Sequence, residues 1–146
     1  DGLIISDPGV FMIAKEVCPE IDKHVSTQAN NVNYDTFKFW HSLGATRVVT
    51  ARELSMKEIK EIRANIPDEL EIETFIHGAM CEGYSGRCVM SNFLTNRDAN
   101  RGGCSQICRW DFDLLDSDNN EIKGDKNFTF CSKDLSLLKH IKEKLK

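Results

Sequence analysis

Short apolar runs alternate with amphipathic stretches through the first half of the chain. Runs such as LII near the start and RVV in the middle have the length and composition of buried β-strands. Between them, apolar residues recur every three or four positions, as they do on one face of an α-helix. We predict strands at residues 2–6, 24–27, 47–50 and 70–76, and helices at residues 9–17, 34–43 and 55–65.

Two boundary signals support the predicted helices. Ser55 is followed three residues later by Glu58, which is the pattern of a capping box at a helix start. Gly44 follows the second amphipathic stretch and predicts its end. The lysine-rich tail at residues 133–146 predicts a terminal helix with a solvated face, and Leu135, Leu138 and Ile141 packed beneath it.

The alternation of strands and helices predicts a parallel sheet in an α/β fold. Short turns between them favour a barrel as much as an open sheet, and four predicted strands are half of the eight that a closed barrel requires. We therefore expect a partial, irregular TIM-barrel-like (β/α) domain, with the chain a piece of a longer protein. Residues 1–80 supply the βα units, and residues 81–146 a cysteine-rich loop region and the C-terminal helix of the same domain.

Residues 73–110 hold four of the six cysteines together with several glycines and arginines. Disulfides are one explanation, but a chain of 146 residues is long enough to build a core without them. In the reducing cytoplasm, where we expect this protein, clustered cysteines are more often metal ligands or reactive thiols. We therefore favour metal or cluster ligation over disulfides.

The cysteine spacing bears on which metal is bound. Zinc sites favour two short pairs, and this segment has one, Cys104 and Cys108. Dispersed thiolates suit an iron–sulfur cluster better, because a cubane is wider than a single ion and accepts ligands from separate loops. Nearby glycines would let backbone amides approach the sulfurs. Zinc, or no metal at all, remains the alternative.

The segment after the fourth predicted strand carries a long ungapped motif. It reads Glu73-x-Phe75-x-x-Gly78-Ala79-Met80-Cys81-x4-Gly86-x-Cys88-x-Met90-Ser91. This motif resembles the signature of the peptidase U32 family, the collagenase-like proteins. Further matches are SDPGV at residues 6–10, STQAN at 26–30, RVVTAREL at 47–54, NRGGCSQICRW at 100–110 and SKDL at 132–135. The resemblance covers nearly the whole chain.

The resemblance implies more than one activity. The family was first associated with proteolysis, whereas several members hydroxylate RNA bases or quinone precursors without oxygen. The quinone members hold a [4Fe-4S] cluster on four cysteines. Residues 97–104 and 108–110 look most like the branch required for 5-hydroxyuridine at the tRNA wobble position, with prephenate implicated as a donor. The implied function is hydroxylation of a tRNA wobble uridine with an iron–sulfur cluster, with tRNA as a partner and a small carboxylate such as prephenate as a possible donor.

The same resemblance implies a set of cluster ligands. They are Cys81, Cys88, Cys104 and Cys131, with Cys108 as the alternative for the last position. Cys131 is favoured because it precedes SKDL, where some relatives place a ligand. Many relatives have asparagine at that position, and this keeps Cys108 open.

Polar residues follow each predicted strand, where parallel α/β folds place their active residues. We expect six of them to ring a pocket roofed by the cysteine-rich loop: Asp7, Gln28, Asn30, Arg52, Glu53 and His77. Arg52 would clamp a carboxylate while Glu53 orients the substrate or moves a proton. Asp7 and His77 complete the catalytic candidates, and Gln28 and Asn30 are candidates for substrate binding.

Each catalytic candidate also has a structural interpretation. Asp7 precedes Pro8 and Gly9 and is equally typical of a helix N-cap. Arg52 and Glu53 would form an ordinary ion pair at a strand exit. A lone histidine such as His77 is more often a hydrogen-bonded framework residue than a catalyst.

Charge gives a mixed answer on RNA binding. The chain has a formal net charge of −4, which argues against indiscriminate nucleic-acid binding. Residues 83–110 nevertheless contain four arginines against one acid, Asp98. The arginines are Arg87, Arg97, Arg101 and Arg109, and the interleaved aromatic residues are Tyr84, Phe93 and Trp110. Of these arginines, Arg87, Arg101 and Arg109 are our candidates for contacting RNA. Pairing with carboxylates elsewhere, or neutralising an anionic cluster, would explain them equally well.

Two further functions stay open. A peptidase with a cysteine nucleophile needs a base, and His77 is four residues from Cys81, but the chain has no HExxH or GxSxG motif and no known triad order. A noncatalytic RNA-binding module would keep the arginines and aromatics without depending on Asp7 or Glu53. We expect no membrane association, since no apolar stretch is long enough to span a bilayer.

Overall fold

The computed structural model describes residues 1–122, 129–130 and 134–144. Its strands are β1 (Gly2–Ile5), β2 (Asp22–Val25), β3 (Arg47–Val49), β4 (Glu71–Glu73), β5 (His77–Gly78) and β6 (Leu135–Ser136). Its α-helices are α1 (Pro8–Val17), α2 (Tyr34–Leu43), α3 (Met56–Asn65), α4 (Met90–Thr95) and α5 (Ile141–Lys144). Single turns of 3₁₀-helix lie at Thr27–Ala29, Ala99–Arg101, Ile107–Arg109 and Leu138–His140.

The first four strands form one parallel sheet in the order β1-β2-β3-β4. Gly2 pairs with Asp22, Val25 with Val48, and Val48 with Ile72. Because consecutive strands are neighbours and crossovers are right-handed, α1, α2 and α3 cover the same face of the sheet. The predicted parallel α/β arrangement is confirmed.

The core lies between this sheet and its helices. Its fully buried members include Phe11, Val25, Phe37, Val48 and Leu70. Cys18 packs against this core, as its position near the end of α1 suggests. At about 25 cal/mol per Å² of buried apolar surface, this core is the main source of stability and holds the strand ends in fixed positions.

Side-chain caps begin the three large helices. Asp7 accepts a hydrogen bond from the Val10 amide (2.9 Å), and Asn33 accepts one from the Thr36 amide (2.9 Å). Ser55 and Glu58 form the expected capping box. The two hydrogen bonds from Ser55 lower the pKa of the exposed Glu58 carboxyl.

Buried Asn31 ties the sheet to α2. Its side-chain amide donates to the carbonyls of Ser26 (3.0 Å) and Val49 (2.9 Å), and its oxygen accepts from the indole of Trp40 (3.1 Å). All the side-chain polar groups of Asn31 are therefore satisfied inside the core. This places the chain after β2 and the end of β3 side by side.

The structure corrects two predicted elements. The fourth strand ends at Glu73, not at residue 76, and His77 belongs to β5, which pairs antiparallel with β6. The expected long terminal helix is interrupted: its described part contains β6, one 3₁₀ turn and the short α5. Leu138 is 55% exposed and does not pack beneath such a helix. Within the described residues, no helix is long and apolar enough to cross a membrane.

Candidate active site

Glu53 stands just beyond the carboxyl end of β3 and is held by three hydrogen bonds. One carboxylate oxygen accepts from the Asn30 side chain (3.1 Å) and from the Ser85 amide (3.3 Å). The other accepts from the Ser85 hydroxyl (3.0 Å). Asn30 reaches Glu53 from the turn after β2, where it adopts a left-handed conformation (φ 58°). The carboxylate is therefore fixed from both the sheet and the loop.

Ser85 is the centre of this network. Its side chain is 1% exposed, and its hydroxyl accepts from the Arg52 amide (3.2 Å) and, more weakly, from Thr27 (3.5 Å). Ser85 is not among the site residues predicted from the sequence. The signal in the sequence is its position, a small hydroxyl residue directly before the motif glycine Gly86, but only the fold shows what it contacts.

The loop that carries the cysteines lies directly against the sheet edge. A β-carbon on Gly86 would be 1.9 Å from the carbonyl oxygen of Gln28, and Gly86 has a φ of +78°. Farther along, the hydroxyl of Ser6 donates to the carbonyl of Asn100 (3.2 Å). Together with Ser85 and Glu53, these contacts fasten the loop to the carboxyl ends of β1, β2 and β3.

A cavity of about 230 Å³ opens where this loop meets the end of β3. Its lining consists of Arg52, Glu53, Met80, Cys81, Glu82, Gly83 and Tyr84. The Arg52 guanidinium stacks over the ring of Phe75 at 4.3 Å. No ion pair joins Arg52 to Glu53, and the Arg52 Nη1 is buried without a hydrogen-bond partner among the residues that the structure describes. The simple ion-pair interpretation therefore does not describe this site.

The cysteines near the cavity interact electrostatically. Burial raises the pKa of the half-buried Cys81 thiol, the Arg52 guanidinium opposes that rise, and Cys104, Cys88 and Glu53 add to it. Cys104 and Cys88 are thus each close enough to Cys81 to affect its thiol. Cys104 also accepts a hydrogen bond from the Gln106 amide (3.3 Å).

In the described part of the chain, Cys18, Cys81, Cys88 and Cys104 are free thiols. Cys131 lies outside the described residues. No three His, Cys, Asp or Glu side chains in the described part are grouped to hold a single metal ion. Thiols are the donor type that an iron–sulfur cluster uses, and Cys104 already accepts a backbone amide hydrogen bond of the kind that tunes such clusters.

The remaining predicted site residues that the structure describes do not line the cavity. Asp7 is exposed and caps α1. His77 is exposed in β5 and does not line the cavity, because β4 ends before reaching it. Gln28 meets the loop through its backbone. Arg101 pairs with Asp98 (3.5 Å) and Arg109 with Asp134, whereas Arg87 is exposed.

Ser85→Ala is expected to lower the free energy of unfolding by about 2 kcal/mol, because it leaves buried partners without their hydrogen bonds. Glu53 would also lose one of its donors, so its orientation should loosen. Urea denaturation measures the first effect. Ser42→Ala, which removes an exposed hydroxyl bonded to one carbonyl, is the matched control and should change stability by less than about 0.5 kcal/mol. Equal stability of the two variants would contradict the role assigned to Ser85.

Comparison with known proteins identifies relatives. The chain is 48% identical to tRNA hydroxylation protein P of Escherichia coli strain K12 over 84% of its length and 27% of that protein. It is 46% identical to tRNA hydroxylation protein P1 of Bacillus subtilis strain 168, covering 96% of the chain and 34% of the relative. It is 36% identical to a collagenase of Porphyromonas gingivalis strain W83, covering 95% and 35%.

The chain thus spans about a quarter to a third of the length of these relatives. No solved structure matches it. The family model for peptidase family U32 matches residues 1–146. Two of the motifs that resemble this family, at residues 47–54 and 73–91, supply all the residues that line the cavity. The chain belongs to peptidase family U32.

Proposed function

We propose that this chain is part of an enzyme that hydroxylates the wobble uridine of tRNA, acting in the cytoplasm where its substrate is found. Two relatives of nearly 50% identity carry the name tRNA hydroxylation protein P or P1. The observation that carries the proposal is the cavity, which brings Glu53 and Arg52 from the sheet edge together with Cys81 from the loop. A base, a cation and a potential cluster ligand thus share one small space.

Glu53 is the residue for proton movement in this scheme. Its carboxylate faces the cavity and is oriented by Asn30 and Ser85, which limits the positions from which it can accept a proton. Arg52 supplies positive charge beside it and would hold an oxyanion, such as the carboxylate of a donor molecule like prephenate. Asp7 and His77 have no part in this scheme, because neither lines the cavity.

The proposed cofactor is a [4Fe-4S] cluster. Cys81, Cys88 and Cys104 would supply three of its ligands, and Cys131 or Cys108 the fourth. Cluster potential depends on hydrogen bonds to sulfur, and the Gln106 amide makes one such bond to Cys104. When bound, the cluster would supply electron transfer or a binding point for the donor. Arg52 would offset part of the negative charge of the thiolates.

Iron and acid-labile sulfide in anaerobically purified full-length protein test this cofactor. We expect near-stoichiometric iron and sulfide in the wild type and their loss in Cys81→Ala. Cys18→Ala is the matched control, since Cys18 packs against the core outside the loop and should leave the iron content unchanged. Stoichiometric zinc without iron, or iron that survives Cys81→Ala, would contradict the proposed ligands.

The loop also offers a surface for RNA. Arg101 and Arg109 are paired with carboxylates, so of the four loop arginines only Arg87 and Arg97 lack an ion pair among the described residues. Phe93 is 82% exposed on α4, so its ring is accessible to a ligand. Positive charge interleaved with exposed aromatic rings is typical of surfaces that bind single-stranded nucleic acid.

The experiment that tests the function is mass spectrometry of tRNA nucleosides. Cells lacking the gene should lack the hydroxylated wobble uridine, and full-length wild-type protein should restore it. Restoration of growth or of other modifications without the hydroxylated nucleoside would contradict the proposal.

The finer architecture is also part of the proposal. We infer that the four parallel strands are consecutive strands of a (β/α) barrel completed by the rest of a longer protein. The relatives are about three to four times as long. An apolar face on α1, formed by Val10, Ile13 and Val17, is exposed beside the outer strand β1 and would be covered by a neighbouring βα unit.

A collagenase-like peptidase is the second candidate, because a relative carries the name collagenase. The geometry opposes it. A nucleophilic cysteine needs a lowered pKa, whereas burial raises that of Cys81. The nearest histidine in sequence, His77, lies outside the cavity lining. Collagen digestion that Cys81→Ala abolishes would favour the peptidase.

A further inference from the structure

Tyr84 lies at the rim of the cavity and has an unusual environment. Its side chain lines the cavity beside Arg52 and Glu53, yet it is 71% exposed. No aromatic or hydrogen-bonding partner of its ring is found among the described residues. The ring is therefore available to a ligand that enters the cavity from solvent.

The backbone around Tyr84 is held firmly. The carbonyl of Tyr84 accepts a hydrogen bond from the Arg87 amide (2.9 Å). The next residue, Ser85, is buried and bonded to Glu53, and the one after it, Gly86, lies against Gln28. An exposed ring on such a fixed backbone loses little conformational entropy when a ligand packs on it.

We propose that Tyr84 is the stacking surface for an unpaired uracil base of the RNA, which enters the cavity with its ring against the tyrosine. This inference rests on the proposed function and names how that site holds its substrate. A base in a single-stranded loop is already unpaired, so turning it into a cavity costs less than it would from a duplex. Every base has a flat face that an aromatic side chain can cover.

The cavity suits a single ring in size. Pockets for drug-sized ligands measure about 300–1000 Å³, and this cavity is smaller, at about 230 Å³. It is thus suited to one pyrimidine base, whereas the rest of the RNA would lie on the arginine and aromatic surface outside.

The free acceptor position of Glu53 would make the cavity bind uracil in preference to cytosine. A carboxylate has about four acceptor positions, and Asn30 and Ser85 occupy three of those of Glu53. One acceptor position is left on a group that lines the cavity. At the middle of its pairing edge uracil presents an N3–H donor, whereas cytosine has an acceptor nitrogen there and carries its donor on N4. A carboxylate aligned with N3 therefore favours uracil. Stacking on Tyr84 would hold the base at the depth where this contact forms.

Binding of two fluorescent anticodon stem-loop RNAs to the full-length protein tests the inference. They differ only in having uridine or cytidine at the wobble position. We expect Tyr84→Ala to bind the uridine RNA about tenfold more weakly and to lose the preference for uridine over cytidine. Tyr84→Phe keeps the ring and should retain both. Phe39→Ala, which removes a half-exposed ring from α2, is the control and should bind as the wild type does.

The ratio between the two RNAs is the decisive quantity, because contacts to phosphate contribute equally to both and cancel. An unchanged ratio in Tyr84→Ala would overturn the role of Tyr84. If the wild type still restores the hydroxylated nucleoside in cells, that result rejects the stacking surface alone. Absence of the nucleoside with wild-type protein would instead reject the proposed function.

Discussion

Gly86→Ala is expected to detach the cysteine-bearing loop from the sheet and abolish the proposed hydroxylation of tRNA. The new β-carbon would lie 1.9 Å from the Gln28 carbonyl oxygen, a separation that no pair of non-bonded atoms tolerates. Because the obstacle is backbone in a 3₁₀ turn, it cannot rotate away as a side chain would. The φ of +78° adds the strain of a left-handed conformation. We expect a loss of about 3 kcal/mol in the free energy of unfolding.

The matched control for this change is Gly102→Ala. Gly102 has nearly the same φ, +80°, but a β-carbon there would meet nothing within 4 Å. This control isolates the backbone strain, for which we expect a cost of about 1 kcal/mol. Urea denaturation and the level of hydroxylated nucleoside measure both variants. If Gly86→Ala behaves like Gly102→Ala, the close approach of loop and sheet is not needed for activity.

The regular part of the fold could be predicted because its signals are local. The capping box at Ser55 and Glu58 and the glycine after α2 mark helix ends by contacts within a few residues. The strand positions follow from short apolar runs that the core requires. Shifts of one or two residues, as at β2, arise because the limits of a strand depend on hydrogen bonding to its neighbours rather than on composition.

The end of β4 could not be predicted from local pattern. The apolar residues after Glu73 look like continued strand, but Phe75 packs beneath Arg52 and the Ile76 carbonyl accepts from the Leu137 amide (2.7 Å). The partner in the second contact is some sixty residues away in sequence, so tertiary contacts override the apparent strand. His77 is carried away from the sheet edge for the same reason.

The site was predictable in part. Arg52, Glu53 and Asn30 were predicted as site residues because each follows a strand, and the structure brings all three to one place. The strand-end pattern does not reveal Ser85, whose importance comes from contacts with two separate segments, the turn after β2 and the residues just after β3. Nor could it separate Asp7, an N-cap, from the residues that line the cavity. A polar residue at a strand end either caps the following helix or lines the site, and its packing in the fold determines which of the two it does.

The loop and sheet edge therefore work as one unit. Ser85 orients Glu53, Gly86 sets how close the loop approaches, and Cys81 and Tyr84, which precede them in the same loop, line the cavity. In this chain the motif places Cys81 and Gly86 in the same short segment. Gly86 sets the position of the loop on the sheet edge, and this holds the Cys81 thiol in a fixed position relative to the Glu53 carboxylate.

Glu53→Gln should lower wobble hydroxylation by about a hundredfold or more while the protein still folds. Glutamine keeps the size of the side chain and one acceptor oxygen, so the contacts from Asn30 and the Ser85 amide can remain. The other oxygen becomes a donor facing the Ser85 hydroxyl, which costs about 1 kcal/mol of stability. The negative charge that accepts a proton is lost, and with it the proposed chemistry. Nucleoside mass spectrometry in complemented deletion cells measures the effect.

Two further variants make the interpretation specific. Glu61→Gln removes the same charge from an exposed position on α3 and should leave hydroxylation unchanged, which separates the role of Glu53 from a general charge effect. Glu53→Asp keeps the charge but withdraws it by one methylene, so we expect an intermediate level of the hydroxylated nucleoside. If Glu53 were purely structural, glutamine would replace it better than the shorter aspartate. Higher activity in Glu53→Gln than in Glu53→Asp would therefore show that the reaction does not use the charge of Glu53.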